Sequence, residues 1–290
     1  MSVGTLIRNG LPFSNVVDNG VATNIVTPGR TIETLRLKLT AGKIADPENQ
    51  GEYISGTFGK ESIELVKIKA NGKVIFEASG VQLDKLAKYR GQTTDAGFLD
   101  IDFIDESMLS RLDREVTSFD TSVGIANLTT EVYIKGASAP ILKPILVESA
   151  QQKQSNGSYQ PWAYMLAKLL RYPFSIATGG QLPVTVPFGA QHGAVIKRLH
   201  VFHTGKMTDA VVKQDGLVIF EASKDENEFF QKKAGRVPQE NVFTIDFVAD
   251  GSIQEALNTK DARMLEWLFT FSNADNGFVI VEYVDTLGNL

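Results

Sequence analysis

Val74-Ile75-Phe76-Glu77-Ala78-Ser79 is repeated residue for residue as Val218-Ile219-Phe220-Glu221-Ala222-Ser223. The displacement is 218 − 74 = 144, close to half of the 290-residue chain. Ile101-Asp102-Phe103 returns as Ile245-Asp246-Phe247 at the same displacement, 245 − 101 = 144. Two separate matches at one spacing make the chain two tandem copies of one folding unit. A repeat of this kind governs the architecture before any local signal does.

Working outward, Asn71-Gly72 and Asp215-Gly216 precede the two hexapeptides, each between apolar runs. Asn-Gly and Asp-Gly accept positive φ and close two-residue hairpins. Each copy therefore contains strand, tight turn and strand. A short amphipathic helix follows: Val81–Tyr89 stopped by Gly91, and Asp225–Lys233 stopped by Gly235. Next come strands at Phe98–Phe103 and Val242–Phe247, then helical turns at Glu106–Leu112 and Ser252–Leu257. Terminal strands at Thr129–Lys135 and Phe278–Val284 align Tyr133 with Tyr283, which gives copy two about six extra residues nearby. Upstream, Ile32, Leu35 and Leu37 match Ile196, Leu199 and Val201 at 196 − 32 = 164. The change from 164 to 144 assigns about twenty extra residues to copy one between Leu39 and Ile68. That stretch is rich in Pro, Asn and Gly and reads as a long surface loop.

Between the copies, Gln151–Ser158 is polar and loop-like, and Pro161 opens a helix predicted from Trp162 to Tyr172, stopped by Pro173. The net charge is −5 and the pI about 5.4, so there is no overall basic footprint for nucleic acid. The chain has no cysteine, which excludes disulfides, thiolate metal sites and cysteine nucleophiles. The first ten residues lack a signal-peptide apolar core, and no stretch is long and apolar enough to span a bilayer. The expectation is a soluble product of a cytoplasm.

Many short strands between turn signals, with few short helices, predict an all-β chain of two sandwiches, about eight strands each. Catalytic constellations are wanting. His192, His200 and His203 all fall in copy two, and the i, i+3 pair points its rings to opposite faces of a strand. That excludes a metal site in each copy built on histidine. No G-x-S-x-G elbow or P-loop occurs. Asp100 and Asp102 share a strand face with Asp105 just beyond, and copy two offers Asp246. These four carboxylates are the metal candidates, hard oxygen donors of the kind that suit Ca²⁺, although no EF-hand spacing is present. The competing reading is a solvated strand face and a helix start, where acids are favoured. Repetition of Asp102 as Asp246 and of Glu77 as Glu221 argues for a shared structural role.

A further set of residues keeps a recognisable order. It comprises Pro28-Gly29 before Thr31–Leu39, then Pro161-Trp162, Leu182-Pro183 and Asp215-Gly216. Phe243-Thr244-Ile245-Asp246-Phe247 and Ile280-Val281-Glu282-Tyr283 complete it. With the internal duplication, this order resembles the double jelly-roll major capsid proteins of icosahedral, internal-membrane bacteriophages, corticovirus type. The resemblance spans both halves and is strongest in the second. It implies two tandem eight-stranded jelly-roll sandwiches with short helices and an inter-domain helix. The expected division is an N-terminal arm at 1–20, a first jelly roll at 21–140, a linker with helix at 141–174 and a second jelly roll at 175–290.

The implied function is a structural coat protein of the virion, not an enzyme. Homotrimers would form pseudo-hexameric capsomers that contact neighbouring capsid trimers and vertex and membrane proteins. They would tile a shell over a lipid membrane touched peripherally, without direct nucleic-acid contact. No cofactor is required on this reading, Ca²⁺ being an optional stiffener of contacts. The alternative is a carbohydrate-binding or tail-fibre β-sandwich. That reading needs aromatics on one exposed face, whereas Phe76, Phe103, Phe220 and Phe247 recur at strand positions that suit core packing.

Overall fold

The computed structural model describes residues 5–122, 124–149, 165–191 and 195–290. In the first half lie β1 (Thr5–Asn9), β2 (Val21–Ile25), β3 (Thr31–Ala41), β4 (Lys43–Ala45), β5 (Tyr53–Ser55), β6 (Ile63–Ala70) and β7 (Lys73–Ala78). There follow α1 (Gly80–Tyr89), β8 (Phe98–Asp102), α2 (Arg111–Glu115), β9 (Phe119–Asp120), β10 (Leu128–Ile134) and β11 (Pro140–Ser149). The second half has β12 (Met165–Ile176), β13 (Gly180–Val184), β14 (Val195–Phe202), β15 (Met207–Gln214), β16 (Leu217–Ser223) and α3 (Lys224–Lys233). It ends with β17 (Val242–Asp246), β18 (Leu257–Asn258), β19 (Leu265–Phe271) and β20 (Asp275–Thr286).

Strand order is the same in both halves. The first packs a β1-β11-β3-β8 sheet on a β2-β10-β6-β7 sheet; the second packs β12-β20-β14-β17 on β13-β19-β15-β16. These are two eight-stranded jelly rolls, each with an apolar core between its pair of sheets, the first core also taking in Leu166, Leu169 and Ile280 from the second half. They are not separate bodies. Strand β7 runs parallel to β12, with Leu169 opposite Phe76, and this fuses two of the sheets into one of nine strands.

The repeat holds down to register. Leu35 faces Ile101 and Leu199 faces Ile245, so the 164 and 144 displacements meet in one ladder. Ile68 faces Phe76 and Val212 faces Phe220, and a β-bulge follows at Ile68/Lys69 and again at Val212/Lys213. Both hairpin turns use positive φ at both central residues, 50° and 82° at Asn71-Gly72 and 51° and 85° at Asp215-Gly216.

Several expectations are corrected. Met165–Tyr172 of the predicted inter-domain helix is strand, part of β12, while its first residues at 162–164 and Gln151–Ser158 lie outside the described residues. A buried strand is apolar on both faces, and periodicity cannot separate such a run from a helix. Pro173 fits the strand because β12 meets β7 only around Leu169, so no ladder bond is lost on that edge. The counterpart of β10 is β19, not Phe278–Val284. Val132 faces Val66 and Phe269 faces Ala210, giving 269 − 132 = 137. Copy two is therefore shorter in this region by 144 − 137 = 7 residues, because alternation marks β10 and β20 alike as strands without fixing their neighbours. The helical turn expected at Glu106–Leu112 is a helix at Arg111–Glu115, started by Ser110. The stretch expected as a loop contains the β4–β5 hairpin. The divisions at 20, 140 and 174 cut across the sheets, since β1 and β11 pair with each other in the first jelly roll and β12 pairs with β20 in the second.

Candidate functional site: the junction between the sandwiches

Polar chemistry is concentrated where the two jelly rolls meet. Strand β14 carries Lys197, Arg198 and His200, all buried. Consecutive strand residues ordinarily point to opposite faces. Here the β14–β20 register slips between Ile196 and Arg198, and Lys197 and Arg198 both reach Asp105 of the first half, at 2.9 and 2.6 Å. Arg198 also meets Glu282 at 3.1 Å and Asp246 at 3.0 Å, and donates to Ser107 at 3.0 Å. From α1, Tyr89 donates to Asp246 at 2.9 Å and Arg90 to Glu282 at 2.6 Å. His200 joins Glu282 through Nε2 at 3.0 Å and Thr244 through Nδ1 at 2.9 Å, with Tyr89 edge-on 5.5 Å away.

Burial alone would raise the carboxyls of Asp105 and Glu282. The surrounding cations, Lys197 and Arg198 at Asp105 and Arg90 and Arg198 at Glu282, outweigh it and hold both well below the usual range. Burial lowers the His200 imidazole and keeps it neutral, despite Glu282 beside it. Arg198 is held well above its ordinary value: burial opposes its charge, and Asp246, Asp105 and Glu282 more than compensate.

The four carboxylates singled out in the sequence separate into two environments. Asp105 and Asp246 converge on Arg198, each already engaged by cations. Asp100 lies apart in a bidentate pair with Arg36, both contacts at 2.6 Å. Asp102 accepts from Thr34 at 2.8 Å and Gln92 at 3.3 Å, and burial raises its carboxyl. Among the described residues no group of three or more His, Cys, Asp or Glu side chains converges as ligands. His192 lies outside the described residues, and His203 accepts from the Gly205 amide. Phe76 and Phe103 are core residues, whereas Phe220 and Phe247 are only partly buried.

Sequence reasoning missed Arg90, Lys197, Arg198 and Glu282. The signal was a lone Glu282 inside Val279-Ile280-Val281-Glu282-Tyr283-Val284, because a charge in so apolar a strand must be paired. Among the described residues the junction's charged groups engage one another, and the cavity beside Arg90, Lys197 and Glu282 measures only about 30 Å³. The junction's chemistry is that of a clamp, fixing how one sandwich sits against the other.

The comparisons agree with that character. The family model for the viral coat protein P2 N-terminal domain matches residues 7–153, and the model for the P2 C-terminal domain matches residues 166–287. Among solved structures, the major capsid protein P2 of bacteriophage PM2 superposes with a TM-score of 0.80 at 16% identity, covering 98% of each chain. A chain of Sulfolobus turreted icosahedral virus gives 0.69 at 13% identity, over 97% of this chain and 91% of its own. A PBCV-1 capsid chain gives 0.62 at 11%, over 98% and 95%. At these identities the likeness is one of fold. No curated protein matches in sequence.

Proposed function

The chain belongs to the viral coat protein P2 family, and from that premise we propose that it assembles as homotrimers, each a pseudo-hexagonal capsomer of an icosahedral shell over a lipid membrane. It is a structural major capsid protein and has no enzymatic role. The observation that carries the trimer is the pairing of two like-ordered jelly rolls in one clamped chain. Three such chains present six near-equivalent barrels, the number a hexagonal tile needs. The clamp matters because a tile must transmit load between its barrels without hinging. Contact with neighbouring trimers would use the outer sides of the barrels. Contact with lipid would run through membrane proteins of the virion, since Thr5–Asn9 near the N-terminus is held in a sheet. The acidic net charge disfavours direct contact with the genome, whose binding is driven by basic groups on phosphate. Sedimentation velocity on purified protein tests the reading: trimers are expected, and a strict monomer at high concentration would refute it.

A further inference from the structure

The internal junction shows how one particular sheet edge is covered in copy one, while the same edge in copy two is bare. Strand β16 is the last of its sheet, whereas its counterpart β7 carries β12 on its outer side. Beneath that cover, Phe76 and Leu86 are 4% and 3% exposed. In copy two, Phe220 is only partly buried and Phe230, at Leu86's place, is 59% exposed. The space between helix and strand tells the same story. In copy one it is lined by Phe76, Leu83, Leu86 and Asp102, is closed by Leu169, and measures about 30 Å³. In copy two the counterparts Phe220, Asn227, Phe230 and Asp246 line an open groove of about 340 Å³.

The chain also carries a spare piece shaped like the cover. Strand β1 stands to β11 as β12 stands to β20. Ile7 faces Val147 and Leu169 faces Glu282, while Leu146 and Val281 face the equivalent Leu35 and Leu199. Ile7 therefore occupies Leu169's place, yet it is 73% exposed against 6% for Leu169. Strand β1 is outermost in its sheet. An apolar edge strand left open is a template for pairing with another chain.

We propose that β16 and α3 of one copy receive β1 and the β8 face of a second copy, reproducing between chains the junction that β7 and α1 make within one. Ile7 of the second copy covers Phe220. The repeat also assigns the helix contacts. Within the chain, Tyr89 of α1 reaches Asp246, and Lys85 reaches the Glu240 carbonyl. At displacement 144 these become Lys233 and Phe229 of α3 against Asp102 and the Ala96–Phe98 segment of the second copy. The substitutions match in character. Asp102 lies in an open pocket of about 320 Å³ with Glu106 and the Arg36–Asp100 pair, so an incoming lysine meets the carboxyl groups of Asp102 and Glu106 beside an acid already paired. Phe229 is 62% exposed and Phe98 38%, an apolar pair in place of a lysine and a carbonyl. This assignment rests on the self-associating capsomer proposed above and names the surfaces that build it.

The test exploits the absence of native cysteine. Leu169 and Phe76 are register partners, so a combined Ile7→Cys and Phe220→Cys variant places two thiols within disulfide reach between copies. Under a mild oxidant, covalent dimers and trimers are expected on non-reducing gels, with none from either single variant. Phe229→Asp, on an exposed side chain, is expected to weaken association at least tenfold and leave the monomer's thermal midpoint unchanged. A protein that sediments as a trimer, yet neither cross-links nor responds to Phe229→Asp, overturns these surfaces and spares the trimer. Covalent dimers from a protein that sediments only as a dimer uphold the surfaces and overturn the trimer. A strict monomer overturns both.

Discussion

Arg198 is fully buried and meets Asp105, Asp246 and Glu282 at once. Such a network gains little net stability over an apolar core, but removing one partner leaves charges buried and uncompensated. Arg198→Met is expected to cost about 3–5 kcal/mol, read by chemical denaturation. The pH dependence follows from the directions of the shifts. Asp105 and Glu282 are held low when folded, so the unfolded chain binds more protons as acid is added. Their stabilisation is complete above the ordinary carboxylate values of about 4 and is lost as pH falls through the depressed folded values. His200 acts with the same sign at higher pH, because the unfolded imidazole takes a proton near about 6.5 while the buried one stays neutral. Asp102, raised by burial, opposes them: its contribution is present at low pH and fades as pH rises through its folded value. Two carboxylates and a histidine outweigh one carboxylate. The thermal midpoint should drop steadily from pH 7 to pH 3, with a shallower slope in Arg198→Met. A midpoint constant over that range would contradict this account of the junction.

At the level of elements, what could be read from the sequence was what local chemistry decides. The turns at Asn71-Gly72 and Asp215-Gly216 demand positive φ at both positions, and only a few residue types supply it. Helix α1 carries a reciprocal cap, with Ser79 accepting from the Gln82 amide at 3.2 Å and Gln82 accepting from the Ser79 amide at 2.8 Å. Ser79→Ala should cost about 1 kcal/mol by denaturant titration. What could not be read depends on partners far along the chain. Strand β12 carries an apolar run that also suits a helix, and the strands that pair along its two edges, β20 and β7, lie remote in sequence. The β10 and β20 ends were exchanged because alternation reveals a strand but not its neighbour. The junction cluster escaped because its members come from α1, the segment after β8, β14, β17 and β20, which only the fold brings together. The hairpin of β4 and β5 offers a direct contrast. Its tip is exposed, so removing Glu48–Gln50, which leaves Pro47-Gly51 as a two-residue turn between Asp46 and Glu52, should cost under about 1 kcal/mol by loop-closure reasoning. Gly56 beyond it is different: a Cβ there would lie 2.2 Å from the Ser138 carbonyl oxygen, in backbone that cannot step aside. Gly56→Ala should therefore destabilise more than the deletion, and the reverse order in thermal scans would show that the hairpin packs more firmly than its exposure implies.

For the whole molecule, the question is whether two jelly rolls behave as two domains or one. Chains of this length commonly unfold domain by domain. Against that stand the parallel join of β7 to β12, the Val237 amide donating to the Tyr89 carbonyl, and the ion network spanning both halves. Ile280 of the second half even belongs to the core cluster of the first. Opening the junction would expose Leu169 and Phe76 and strand buried charge on both faces, so half-unfolding should be more costly than either interface alone implies. Calorimetry is therefore expected to give one transition, with calorimetric and van't Hoff enthalpies equal for the cooperative unit. Replacing Arg90 and Tyr89 together, as Arg90→Ala and Tyr89→Phe, removes the α1 side of the clamp while leaving both cores intact. Two resolved transitions should then appear, the pair drawing apart as pH falls and Glu282 loses its remaining charge. If the unaltered chain already melts in two steps, the clamp does not couple the barrels, and the rigidity of the tile must come from contacts between chains.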